Sequence, residues 1–201
     1  MAFLLVGCGA VSDITETEGV TKTVRLSTEW GAIEIELLHE QAPVSATNIE
    51  AYVTAGAYDG GSFWRTVTPR NDNNPHTVSV IQLQADPDFE GFEPIAHEPT
   101  SQTGLNHVRG AVSLARNMPG SATSAFFICI EDSPVLDHGG LRAEDGEGFA
   151  VFGRVVSGMD VVDKIWAAKT SADSDDPYMA GQVIDSPIAI HEARLVARAG
   201  Q

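Results

Sequence analysis

Positive charge is scarce in this chain. Lysine and arginine together number 12 against 28 aspartates and glutamates, a formal net charge of −16 over 201 residues. A surface that acidic repels phosphate backbones, which excludes nucleic acid as the natural partner and reads most simply as solubility. Cysteine is nearly absent as well, with only Cys8 and Cys129. Cys129 lies in the apolar run Phe126-Phe127-Ile128-Cys129-Ile130, where a buried, inert thiol is expected, and a bridge to Cys8 would tie a tail to a core strand. There is no strand–helix–strand alternation, no internal repeat and no G-x-S-x-G elbow. The grouping of Ser124, Asp137 and His138 is therefore no evidence for a hydrolase, because closeness in sequence does not orient a base. The acidic run of residues 173–176 lacks EF-hand spacing. His97-Glu98 and His107 fit no recognised ligand spacing, and the histidines read as exposed loop side chains, so neither metal nor cofactor is expected.

What is present points to one domain of short strands and many turns. Hydrophobic residues make up 43% of the chain, with 19 glycines and 10 prolines. Alternation predicts strands at 23–28 and 32–37, joined by Glu29-Trp30-Gly31 as a hairpin. Pro43 opens a helix in which Ala46, Ile49, Tyr52 and Val53 share a face, and Gly56 ends it. Further strands are predicted at 62–67, 78–82, 111–114, 126–130, 150–156 and 188–195. A second helix carries Met159, Val162, Ile165 and Trp166. Residues 69–75 form a loop, since Asn71-Asp72-Asn73-Asn74 offers no face to bury, and 86–103 form an irregular surface excursion. Strands thus dominate. Closure removes exposed sheet edges, which favours a mainly β fold, a closed antiparallel β-barrel capped by two helices.

Three motifs in order carry the chemistry. Phe63-Trp64-Arg65 comes first, then the run Gly104-Leu105-Asn106-His107-Val108-Arg109-Gly110 continuing to Ala115-Arg116, then Ser124-Ala125-Phe126-Phe127-Ile128. In this order they resemble the cyclophilin family of peptidyl-prolyl isomerases over roughly residues 24–197. The resemblance implies a cyclophilin-like barrel with Arg65 as the catalytic donor and a proline pocket of Val80, Ile81, Phe127, Leu136 and Phe149. It gives Gln82 a contact with the substrate backbone, with Gln84 as a rival because the following segment departs from the family pattern. Ala115 and Arg116 match an edge strand whose backbone pairs with the peptide. Phe126 and Phe127 are neighbours on a strand and must face opposite sides, so one is core and the other is free to line a groove. Val135 stands where eukaryotic members often carry tryptophan, which implies weak cyclosporin binding.

The implied activity is isomerisation of X-Pro bonds in protein folding, without a cofactor, by a monomer acting on proline-containing polypeptides. The alternative is a proline-peptide binding module or chaperone with little turnover. Residues 1–22 read as a leader and 23–198 as the isomerase domain. Within the leader, Leu5-Val6-Gly7-Cys8 resembles the lipobox of bacterial lipoproteins and precedes a polar stretch through Gly19. Met1 to Val6 is too short for a signal and lacks Lys and Arg, so the true start is expected upstream. That reading makes Cys8 a lipidation site and the protein a periplasmic, membrane-anchored lipoprotein. The other reading is an unstructured leader on a cytoplasmic protein.

Overall fold

The computed structural model describes residues 20–171 and 174–199. Cys8 and the leader through Gly19 lie outside the described residues, as do Ala172 and Asp173 of the acidic run.

The first hairpin is β1 (Val20–Thr28) and β2 (Gly31–Leu37). Helix α1 (Pro43–Thr54) is followed by β3 (Ser62–Val67), β4 (Val80–Gln84) and the one-turn helix α2 (Thr100–Thr103). Then come β5 (Ala111–Leu114), β6 (Phe126–Cys129), β7 (Ala150–Ser157) and α3 (Met159–Trp166). The two-residue β8 (Thr170–Ser171) precedes the long β9 (Val183–Ala199). Strands run in the order β1-β2-β7-β5-β6-β4-β3-β9, and β9 pairs back onto β1, closing an antiparallel barrel of eight strands with β8 appended outside β9. Val20 to Lys22, read from sequence as leader, pair with Ala197 to Ala199 and belong to the barrel.

An eight-stranded barrel has an interior just wide enough for side chains to fill. Leu26, Ile33, Ile35, Phe63, Ile81, Leu83, Phe126, Ile128 and Phe152 do so and are fully or almost fully buried. Helix α1 packs on β7 and β9, and α3 on β2, β3 and β4, each through an apolar face. The start of α1 has no side-chain cap of its own. Glu98 supplies one from the irregular segment, its carboxylate accepting the backbone N–H groups of Val44 at 3.0 Å and Ser45 at 2.6 Å. An anion there satisfies orphan donors at the positive end of the helix. Glu98 is therefore a buried cap.

The polar loop after β3 also departs from expectation. It is a loop, but the Asp72 side chain is wholly buried and pairs with Arg142 at 2.7 Å, while its carboxylate accepts the N–H groups of Asn74 and Val78. Residues predicted to have nothing to bury thus fold around a buried ion pair. Cys129 is buried as expected, and burial, helped by Asp137 and Asp132, pushes its thiol pKa well up, which keeps it unreactive.

Candidate active site

Strand β3 would place Phe63 and Arg65 on one face if it alternated regularly. Phe63 points into the barrel, so regular alternation would bury the guanidinium there. Instead the register shifts between Phe63 and Arg65 in the pairings with both β4 and β9. This bulge at Trp64 re-aims the strand. Arg65 then turns outward, Thr66 inward, and Val67 outward into a second apolar cluster on the barrel's outside.

That cluster floors a cleft of about 470 Å³. Phe127 (β6), Val80 (β4), Leu136 and Phe149 line it, with Phe149 edge-on to Phe127 at 5.5 Å between ring centres. Gly148 makes the position of Phe149 achievable. Its φ is +65°, and a Cβ there would come within 2.5 Å of the Asp137 carbonyl carbon, so only glycine lets this backbone lie against 136–137. Arg116 holds the same segment, with two bonds to Asp145 and two to the Gly148 carbonyl, and its guanidinium lies 5.1 Å from the Phe149 ring centre.

At the edge of the floor, Arg65 is fixed on two sides. Nη1 donates to Gln82 Oε1 at 2.9 Å, while Nε and Nη2 donate to Gln182 Oε1 at 2.9 and 2.5 Å. Gln82 sits directly opposite Arg65 on β4, so the pair is a product of strand register. Gln182 is fully buried and donates through Nε2 to the Asn71 carbonyl, which fixes its amide orientation. Burial lowers the Arg65 pKa, partly offset by Tyr178 and Asp72. Guanidinium remains a cation throughout the neutral range even so. The arrangement presents a preorganised cationic donor beside an apolar floor.

A second polar chain runs beneath the floor. His107, in the segment before β5, is buried and places Nδ1 2.7 Å from Asp137 Oδ1 and Nε2 2.9 Å from Ser113 Oγ. Serine, histidine and aspartate in this order look like a hydrolytic triad. However, Ser113 is 0% exposed and the imidazole stacks against Phe127, so no acyl group reaches the hydroxyl. The chain supports the floor. His107 is thus corrected from an exposed loop histidine, and Asp137 serves it rather than the Ser124–His138 pairing weighed from sequence.

Comparison with known proteins agrees with this geometry. The sequence pattern of the family described as "Cyclophilin type peptidyl-prolyl cis-trans isomerase/CLD" matches residues 23–188. Peptidyl-prolyl cis-trans isomerase A of Dickeya dadantii is 36% identical over 177 residues, covering 87% of this chain and 85% of that one. A peptidyl-prolyl cis-trans isomerase of Streptomyces antibioticus is 34% identical over 175 residues, covering 87% and 98%. This chain belongs to the cyclophilin-type peptidyl-prolyl isomerases. It is an enzyme that acts on X-Pro bonds. A crystal structure of a cyclophilin-type isomerase from Cryptosporidium parvum shares the fold, with a TM-score of 0.66 at 18% identity over 90% of this chain and 99% of that one.

Within this cyclophilin barrel, most of the residues picked from sequence come together. Arg65, Val80, Gln82, Ala115, Arg116, Phe127, Leu136 and Phe149 all line the cleft. Ile81 does not. It points into the barrel core, because β4 alternates Val80 out, Ile81 in and Gln82 out. The second β4-side wall is Val78, two residues from Val80 and on its face, which period-2 counting from Gln82 could have found. Gln84 is exposed and outside the cleft lining, leaving Gln82 as the partner of Arg65. Ala115 and Arg116 are not on an edge strand. β5 is flanked by β6 and β7, both residues follow its end, and the Ala115 N–H is spent on the Ala125 carbonyl. Gln182, Arg142 and Tyr178 escaped sequence reading altogether, since no motif surrounds them.

Proposed function

We propose that this cyclophilin turns X-Pro bonds by holding the proline ring on Phe127, Leu136, Phe149, Val80 and Val78 while Arg65 donates a hydrogen bond to the prolyl nitrogen. An amide rotates slowly because its C–N bond has partial double-bond character, with a barrier of about 18–20 kcal/mol. As the bond twists, conjugation is lost and the nitrogen lone pair localises. A donor aimed at that nitrogen is worth more in the twisted state than in either planar one, which is the condition for catalysis. No bond is made or broken, so neither a base nor a cofactor enters.

The single observation that carries this reading is the Trp64 bulge, which turns a cation held by two glutamines onto an apolar floor. In this reading Gln82, hydrogen-bonded to Arg65, meets the substrate backbone beside it. A binding-only module drew its sequence support from the altered stretch after Gln82, and Gln82 still reaches Arg65, so that support falls away. The test is exchange spectroscopy on an Ala-Pro peptide with folded protein at catalytic concentration. Exchange well above the uncatalysed rate is expected, and saturable binding without it would establish the binding module instead.

We also infer that the substrates are proline-containing polypeptides met by a monomer, and that Cys8 is lipidated and tethers the barrel on the periplasmic side of a membrane. The support for the tether is Leu5-Val6-Gly7-Cys8 ahead of a polar stretch. Expression with the upstream codons should give a product that takes up labelled fatty acid and sediments with membranes. Labelling that survives Cys8→Ser rules the site out.

A further inference from the structure

Tyr178 occupies a place that neither the barrel nor the proline floor requires. It lies in the turn of residues 177–179 before β9 and lines the cleft together with Asp176 and Met179. Its ring is flanked by two guanidinium groups, Arg65 at 5.5 Å and Arg142 at 5.6 Å from the ring centre. Both are anchored elsewhere, Arg65 by Gln82 and Gln182, and Arg142 by buried Asp72 and the His76 carbonyl. The Tyr178 backbone is tied to the same loop that holds Asp72. Asn73 Nδ2 donates to the Tyr178 and Ala180 carbonyls at 3.1 and 2.9 Å, Asn71 Nδ2 donates to the Gly181 carbonyl at 2.9 Å, and Asp176 accepts the Tyr178 N–H.

The tyrosine is nevertheless 40% exposed. Its anchoring therefore serves something other than core packing. Two cations facing one site repel, and Arg142 does act on Arg65 in that sense. An aromatic ring within cation–π reach of both attracts both and favours particular planes for them. Three of the five Arg65 N–H groups are committed to the glutamines, so the angle of the plane decides where the other two point.

We propose that Tyr178 is a positioning residue for the isomerase reaction: its ring, in cation–π contact with both Arg65 and Arg142, fixes the plane in which Arg65 offers its remaining N–H groups to the prolyl nitrogen. This rests on the isomerase reading of the same cleft. The chain Asp72–Arg142–Tyr178–Arg65 then joins the loop after β3, the 138–142 turn and the turn before β9 to the donor. Exposure of the ring means that its removal leaves the barrel folded.

The test compares Tyr178→Ala and Tyr178→Phe with the wild type by two readouts. Exchange spectroscopy on an Ala-Pro peptide gives kcat and KM. The side-chain Nε–H resonance of Arg65, assigned by its loss in Arg65→Lys, reports the aromatic ring current on the guanidinium without needing turnover. Tyr178→Ala should lower kcat about 3- to 10-fold, with KM little changed, and move the Arg65 resonance. Tyr178→Phe, which keeps the ring, should restore most of kcat and the wild-type resonance position. A wild-type kcat in Tyr178→Ala, a fall confined to KM, a Phe variant as defective as the Ala variant, or an Arg65 resonance that stays put would each overturn the proposal. An inactive wild type would refute the isomerase reading instead, and the Arg65 resonance would still decide whether Tyr178 orients the guanidinium.

Discussion

Strands β4 and β6 each carry two faces, and the faces obey different rules. Inward, Ile81, Leu83, Phe126 and Ile128 fill the barrel, with Phe126 edge-on to Tyr58 and Phe152 at 5.6 and 5.4 Å. Outward, Gln82 meets an arginine and Phe127 a histidine, and the apolar surface around Val80 and Phe127 is left open as a cleft. The inner face is filled to its limit, so its side chains are constrained by volume. The outer face leaves space unfilled and holds its polar groups in fixed directions, so its side chains are constrained by what must fit the gap. One residue's step along a strand separates the two.

The sharpest way to break this contrast is at the adjacent phenylalanines. Phe126→Ala empties the inner face and should cost about 3–5 kcal/mol, read as a lower urea midpoint, while the fraction still folded keeps wild-type turnover. A loss below about 1 kcal/mol would mean that the interior is not the tight core described here. Phe127→Ala should destabilise less and bind peptide worse. Removing the main apolar contact proposed for the proline ring corresponds to a KM rise of about 10-fold or more. If the two variants exchanged these signatures, the assignment of faces would be reversed.

Much of the inner face could be read from sequence, because alternation and glycine-marked turns are local signals. The strands at 62–67 and 111–114 fall where periodicity puts them, and the split between Phe126 and Phe127 needs only the pleat. The outer face was less legible. Ile81 was paired with Val80 through a family pattern although neighbours on a strand cannot share a face. The direction of Arg65 depends on a bulge, which strict alternation would have denied. Gln182 lies 117 residues from Arg65 and Asp72 lies 70 from Arg142, so those contacts exist only once the barrel has closed. Long-range polar contacts leave no periodic trace.

The smallest expected effect concerns the wall carried by Phe149. Arg116 hydrogen-bonds Asp145 and lowers its pKa to about 2, below the roughly 3.9 of an unperturbed aspartate. A group whose pKa falls on folding contributes stability above its unfolded pKa and loses it as pH drops through the folded one. The difference in urea midpoint between wild type and Asp145→Asn should therefore be constant from neutral pH down to about 4, then vanish towards 2. Asp145 is partly exposed, so the difference amounts to only about 0.2–1 kcal/mol. A difference that grew on acidification would show that the carboxylate is not what fixes this wall.

The central claim is that Arg65, turned out by the bulge, supplies the donor that lowers the rotation barrier. Exchange spectroscopy on an Ala-Pro peptide, run with wild type and Arg65→Ala after circular dichroism shows both folded, tests it most directly. Loss of one preorganised donor should cut turnover by about 10²–10³ while the apolar floor still binds peptide. Wild-type turnover in folded Arg65→Ala would contradict the account.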